Sequence, residues 1–161
     1  MENQSPRLGY RGRSPTNLNL MKSNPFLHVR SPKLGVLPGE DGELVNEGMY
    51  GNAFAHYLRD HLVASGYEAT DVVSEDWGWW VTIAGLPFTC GIGVYGMQIA
   101  DTNDLDLCVT VLTPRGKKWS WSNFRFVDTT ADVDRLHKTI HDICKTDDDV
   151  AVVAETPDFP L

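Results

Sequence analysis

The run Glu75-Asp76-Trp77-Gly78-Trp79-Trp80 places three tryptophans within four residues, directly behind two carboxylates. Paired carboxylates can move protons or hold a metal ion. Adjacent residues of a strand point to opposite faces, so one site would use only one of Glu75 and Asp76. A turn with solvated acids, or Asp76 accepting from a backbone amide, is the plainer expectation. Strand alternation puts Trp77, Trp79, Val81 and Ile83 on the core face and Gly78, Trp80 and Thr82 on the other. Trp80 is then expected beside Cys90, Trp119 or Trp121 of neighbouring strands. Rings on an open sheet face can bind a protein, a base or a sugar. The alternative is that a loop or the N-terminal segment covers them. The binding candidates are therefore Trp80, Trp119, Trp121, Glu75 and Asp76.

A second constellation is His137-x-x-x-His141-x-x-Cys144. In a helix these three share one narrow face, and His at i and i+4 is a sound geometry for two metal ligands. No Glu follows His137, so the metalloprotease motif is absent. The set borders an apolar stripe, which makes Cys144 a core residue and the two imidazoles its polar margin. No metal or other cofactor is expected. His56 and His61, five apart, fit a metal less well.

Other patterns fall short of chemistry. Asp101-Thr102-Asn103-Asp104-Leu105-Asp106 fails the calcium-loop pattern, because Leu105 stands where an oxygen ligand belongs. It reads as a turn leading into a strand. Gly91-Ile92-Gly93-Val94-Tyr95-Gly96 has dinucleotide-loop spacing but no surrounding βαβ unit. Strand glycines making room for tryptophan rings are the better account. Lys117-Lys118-Trp119-x-Trp121 with Arg125 interleaves cations and rings, as single-stranded nucleic acid requires. Two Lys and one Arg in an acidic domain make a poor electrostatic funnel. No Gly-x-Ser-x-Gly elbow occurs.

The elements that must carry these residues follow from pattern and composition. The 161 residues, 42% apolar and 22% charged, suit one globular domain. The net charge is −8, which argues against nucleic acid as a general partner. Residues 1–33 hold six Lys/Arg against one acid, and residues 34–161 hold eight against 21. An acidic surface repels anionic polymers and membranes. No run of 18 apolar residues exists, so no membrane span or membrane partner is expected. Three cysteines at wide spacing suit a reducing compartment, and no secretory signal is visible, so the expected location is cytoplasmic.

Residues 1–25 are rich in Ser, Pro, Asn, Gly and Arg and are expected to be a disordered extension. Met21 is an alternative start, which would leave residues 1–20 without a role; a genuine basic arm is the other reading. A single domain is expected over 26–156 and a tail over 157–161. Residues 26–31 read as a short edge strand and 32–48 as a loop. A helix is predicted from Met49 to Ser65, with Phe54, Leu58 and Leu62 on its buried side and Gly66 as its cap. Strands are predicted over 67–73, 77–83, 88–95, 104–113 and 119–127. A second helix starts at Thr129 or Thr130, with capping-box spacing to Asp132, and buries Val133, Leu136, Ile140 and Ile143. A last strand covers 150–155. The result is an α+β two-layer sandwich: a mostly antiparallel sheet of about five to six strands with two helices on one face.

Pro38-Gly39-Glu40, Tyr50-Gly51, Gly66-Tyr67 and Glu75 to Trp79 together resemble a set of small bacterial proteins. That set joins a Pro-Gly-Glu loop, a Tyr-Gly-led helix and a Glu-Asp-Trp-Gly-Trp strand. The resemblance covers about residues 35–95. It implies a bacterial domain and carries no activity or catalytic residue. The expected function is a non-enzymatic protein-binding module, immunity- or inhibitor-like, with a protein as the partner. One alternative is a small hydrolase or metal-dependent enzyme using Glu75 or Asp76 with His137 or His141. Another is a purely structural domain.

Overall fold

The computed structural model describes residues 24–161. In chain order these form β1 (Phe26–Arg30), a 3-10 turn (Glu40–Gly42), α1 (Asn52–Ala64), β2 (Glu68–Glu75), β3 (Gly78–Ala84), β4 (Cys90–Gln98) and β5 (Leu105–Val111). Then follow β6 (Lys117–Ser120), β7 (Arg125–Asp128), α2 (Thr130–Thr146) and β8 (Ala151–Thr156). Six strands make one sheet in the order β2-β3-β4-β5-β1-β8, and β6 and β7 make a separate ribbon. Every pairing is antiparallel.

The layers follow from alternation. Leu27, Val29, Trp79, Val81, Ile83, Ile92, Val94, Leu105, Leu107, Val109 and Val111 are all buried, and they meet one face of each helix. α1 supplies Phe54, Ala55, Leu58 and Leu62, and α2 supplies Val133, Leu136, Ile140 and Cys144. Both helices therefore cover the same side of the sheet. Each large side chain buried this way contributes roughly 1.5–3 kcal/mol. Cys144, expected in the core, is fully buried at the end of the α2 stripe, and Ile143 packs against the core partly buried. No helix among the described residues is long and apolar enough to cross a membrane.

Several expectations need correction. β1 is not an edge strand: it lies between β5 and β8, because the chain returns after α2 to pair on its other side. Asn24 and Pro25, expected within the extension, lie against the sheet. Asn24 is buried and its Nδ2 donates to the Val111 and Thr113 carbonyls at 2.6 and 2.7 Å, while Thr110 donates to the Pro25 carbonyl at 2.9 Å. The extension over residues 1–23, with its possible start at Met21, lies outside the described residues. In the tail, Phe159 packs edge-on against Phe26 and Tyr95.

α1 starts at Asn52, not Met49, because Tyr50 bridges to Gly96 and Gly51 turns the chain at φ +133°. Its exposed first amides are met from outside. The buried Glu40 carboxylate accepts from Gly51 N and Asn52 N at 2.8 Å each through Oε1, and from Leu37 N at 2.9 Å through Oε2. A buried carboxylate at a helix N-terminus satisfies orphan donors and opposes the helix dipole. At α2 the expected cap is displaced: Asp128 Oδ1 accepts from Thr130 N at 2.9 Å, while Thr129 Oγ1 donates back to the Pro114 carbonyl at 2.6 Å.

The predicted strand over 119–127 is a hairpin. Ser120 Oγ accepts from Asn123 N at 3.3 Å and lies 3.1 Å from Ser122 Oγ, and Phe124 takes φ +47°. Hydroxyls that bond the local backbone favour a turn over a continued ladder.

Candidate functional site

The Glu75–Trp80 run splits at a tight turn. β2 and β3 pair down to Glu75 opposite Gly78, so Asp76 and Trp77 are the two turn residues. Gly78 adopts φ +151°, and a Cβ there would meet the Val94 carbonyl oxygen at 2.5 Å. Alternation therefore does not extend back to Trp77, and the expectation that it shares the core face with Trp79 is corrected. Trp79 is core, while the Trp77 ring lies on the opposite face, tilted 5.4 Å from Tyr95 and edge-on 6.4 Å from Trp80.

Trp80 stands on that opposite face, half-buried, with its Nε1 donating to Thr82 Oγ1 at 2.9 Å. Its ring occupies the space a side chain at Gly91 would need: a Cβ there would lie 2.0 Å from the ring. The expectation that strand glycines make room for a tryptophan is met at Gly91, whereas Gly93 lies against Leu112 and Tyr95 and Gly96 against Tyr50 and Leu107. The expected neighbour Cys90 is on the core side instead, paired with Ile83. Trp80, Trp77, Tyr95, Phe26 and Phe159 form one chain of ring contacts, which the turn and the C-terminal tail supply with their own cover. Burial pushes the Tyr95 hydroxyl up to about 12.

The other two tryptophans belong to the ribbon. Trp119 contacts Trp121 at 6.1 Å and Phe126 at 5.3 Å, each ring nearly perpendicular to its neighbour. Trp80 is thus not joined with them as one cluster. The ribbon carries the largest exposed rings of the described chain: Trp121 is 77% exposed, Phe124 76% and Phe126 66%. Phe124 and Phe126 do not stand out in the sequence, because the segment reads as one strand. The Ser122-Asn123 pair was the available signal, since a turn there sets Phe126 opposite Trp119. Arg115, Lys117, Lys118 and Arg125 lie in a stretch with no carboxylate between Asp106 and Asp128.

Beside the ribbon runs a groove of about 500 Å³. One wall is Lys118 to Ser122, and the other is the end of β3 with Leu86, Pro87, Phe88 and Thr89. Lys118 Nζ spans it, donating to the Thr89 carbonyl at 3.3 Å.

Glu75 and Asp76 are both exposed, at the β2–β3 end of the sheet. His137 lies at the other end: its Nε2 is 3.4 Å from Glu155 Oε2 on β8. Four strand spacings separate β3 from β8 in the sheet order, which is roughly 19 Å at the usual spacing. The carboxylates and the α2 imidazoles are not brought together. His141 faces Asp142 at 3.9 Å, and Cys144 is wholly buried, its thiol pushed up to about 12 by burial. Among the described residues, no group of three or more His, Cys, Asp or Glu is placed to hold a metal ion.

One polar cluster was not singled out from sequence. Asp106 accepts from Arg30 through both carboxylate oxygens, with Nη2 to Oδ2 at 3.2 Å, and His28 Nε2 lies 2.9 Å from Oδ1. Its members are aligned by the β1–β5 register, which sets Arg30 opposite Asp106 and His28 one step along. The Arg30 hydrogen bonds hold the Asp106 carboxyl below the usual carboxylate range. Both carboxylate oxygens are engaged by these neighbours, so the arrangement fastens β1 to β5.

Comparison with protein-family models, with curated proteins and with solved structures found no match to this chain.

Proposed function

We propose that the domain is a non-enzymatic protein-binding module whose contact surface is the β6–β7 ribbon. The observation that carries this reading is the compact set of exposed rings on Trp119, Trp121, Phe124 and Phe126. Monomeric proteins rarely leave such contiguous apolar surface in water, and aromatic side chains with Arg supply most of the binding energy at protein interfaces. Trp121 and Phe126 are held against Trp119, so little of their side-chain entropy remains to be lost on association. An immunity- or inhibitor-like role, in which this domain covers part of another protein, suits its size and acidity.

The test uses the full chain as bait in native lysate, beside a Trp121→Ala/Phe124→Ala variant. Each captured protein is then purified and titrated against both chains. The expected result is a partner whose affinity drops at least roughly thirtyfold in the variant, the loss of one strong anchor. Equal affinity for both chains, or no protein captured, counts against the proposal.

A further inference from the structure

We infer that the groove beside β6 takes an extended acidic protein segment, which adds to the free edge of β6 and seats an apolar side chain against Trp119, Trp121 and Leu86. This rests on reading the ribbon as a protein-contact surface.

The shape of the wall argues for strand addition. Successive residues of a strand point to opposite faces, so a wall lined by Lys118, Trp119 and Ser120 in succession is the strand's edge, not one of its faces. β6 is paired only with β7 among the described strands, so that edge has backbone donors and acceptors to offer. An extended segment laid along such an edge gains ladder hydrogen bonds, and alternate side chains enter the neighbouring pockets. The opposite wall supplies Leu86, Pro87 and Phe88 as an apolar surface for them.

Charge selects the segment. Lys118 reaches across the groove, and Arg125, opposite Ser120 in the ribbon, lies on the same side as Lys118. Arg115 is already held by Asp134, and Lys117 faces Asp128. No carboxylate of the stretch between Asp106 and Asp128 competes for Lys118 and Arg125. In a chain of net charge −8 this local reversal suits an acidic ligand. Single-stranded nucleic acid fits less well. It requires a continuous basic track and ring platforms for successive bases. Here Lys118 and Arg125 are two cations and not a track, and Trp119 stands at 83° to Trp121 and 77° to Phe126.

The experiment selects a random-peptide library on the full chain and measures the selected peptides against wild type, Trp121→Ala and Lys118→Glu. An oligothymidylate and phosphatidylserine vesicles are measured alongside. The expected peptides alternate Asp or Glu with large apolar residues and slow the amide exchange of Lys118 to Ser120. Their affinity falls at least roughly tenfold in each variant, and it weakens as salt rises from about 0.05 to about 0.3 M. Neutral or basic peptides that still lose affinity in Trp121→Ala overturn the acidic-segment inference and leave the protein-contact reading standing. Peptides indifferent to both variants overturn both. So does a selection that returns none, whether or not the oligothymidylate or the vesicles bind.

Discussion

Two residues hold the motif-bearing part of the chain in place through contacts a single substitution can break. At Gly91 any side chain collides with the Trp80 ring. Gly91→Ala is expected to destabilise by about 1–3 kcal/mol, the usual cost of overpacking. Adding Trp80→Ala to that variant should cost less than the two single effects combined, because the collision is gone. Chemical denaturation of the four chains measures this. Glu40 is the reverse case, a buried group whose partners would be orphaned. Glu40→Ala leaves two backbone donors at the start of α1 and the Leu37 amide of the preceding loop without their acceptor, an expected loss of about 2–3 kcal/mol. Asp106 offers a test with a sign. Its folded-state pKa is lowered, chiefly by the Arg30 hydrogen bond. The stability it contributes is therefore present above the unfolded value of about 4 and is lost as pH falls through the lower folded value. Asp106→Asn should be less stable than wild type at pH near 7, and urea midpoints of the two should converge as pH drops below about 4.

The ribbon and the sheet answer to different rules. Trp121 and Phe124 contribute little to the core, so Trp121→Ala/Phe124→Ala should shift the unfolding free energy by no more than about 0.5 kcal/mol. A thermal melt close to wild type together with lost partner affinity is the expected pair of results. A large drop in the melting temperature would mean the rings serve the fold. The β2–β3 turn behaves oppositely. There the two residues expected to divide between turn and strand, Asp76 and Trp77, are both turn residues, and the Trp77 ring closes over Tyr95. The Pro-Gly-Glu loop, the Tyr-Gly pair and the tryptophan strand converge around one point. Glu40 holds Gly51, and a Cβ on Gly51 would lie 3.1 Å from Val94 and 3.5 Å from Trp79. These residues mark how the loop, α1 and β3 lock together, and they point to architecture rather than to reaction.

The first and last strands of the described residues are joined side by side in the sheet. β1, from the start of the described chain, lies between β5 and β8, and β8 enters only after α2 has crossed the core. Unfolding should therefore be a single event for the core. The three thiols report on it. Cys90, Cys108 and Cys144 are buried and unpaired, and burial raises all three, Cys108 and Cys144 to about 12. Thiolate, not thiol, is the reactive form. Native protein at pH near 8 should react with a thiol reagent only through global opening, and the three sites should share one rate. A thiol labelled rapidly while the others stay protected would locate a region that opens on its own.

Much of the architecture was legible in local pattern. Apolar residues three and four apart announced α1 and α2, and period-two alternation announced β2, β3 and β5, because these patterns are what a helix or strand needs to bury one face. The antiparallel sheet with both helices on one side followed from short turns between strands. What pattern could not convey was which rows become neighbours. β1 became an interior strand through pairing with β8, more than 120 residues later in the chain. Glu40 became a helix cap through a loop contact that no spacing rule encodes. Among the candidate residues, Trp80, Trp119 and Trp121 looked alike as exposed-face rings. The tertiary structure separated them: Trp80 gained cover from Trp77 and Gly91, whereas the Ser120–Phe124 turn carried Trp119 and Trp121 out onto a ribbon with Phe126. Alternation is local and fixes the face a side chain points to, but whether that face meets water or another part of the chain is decided by contacts distant in sequence.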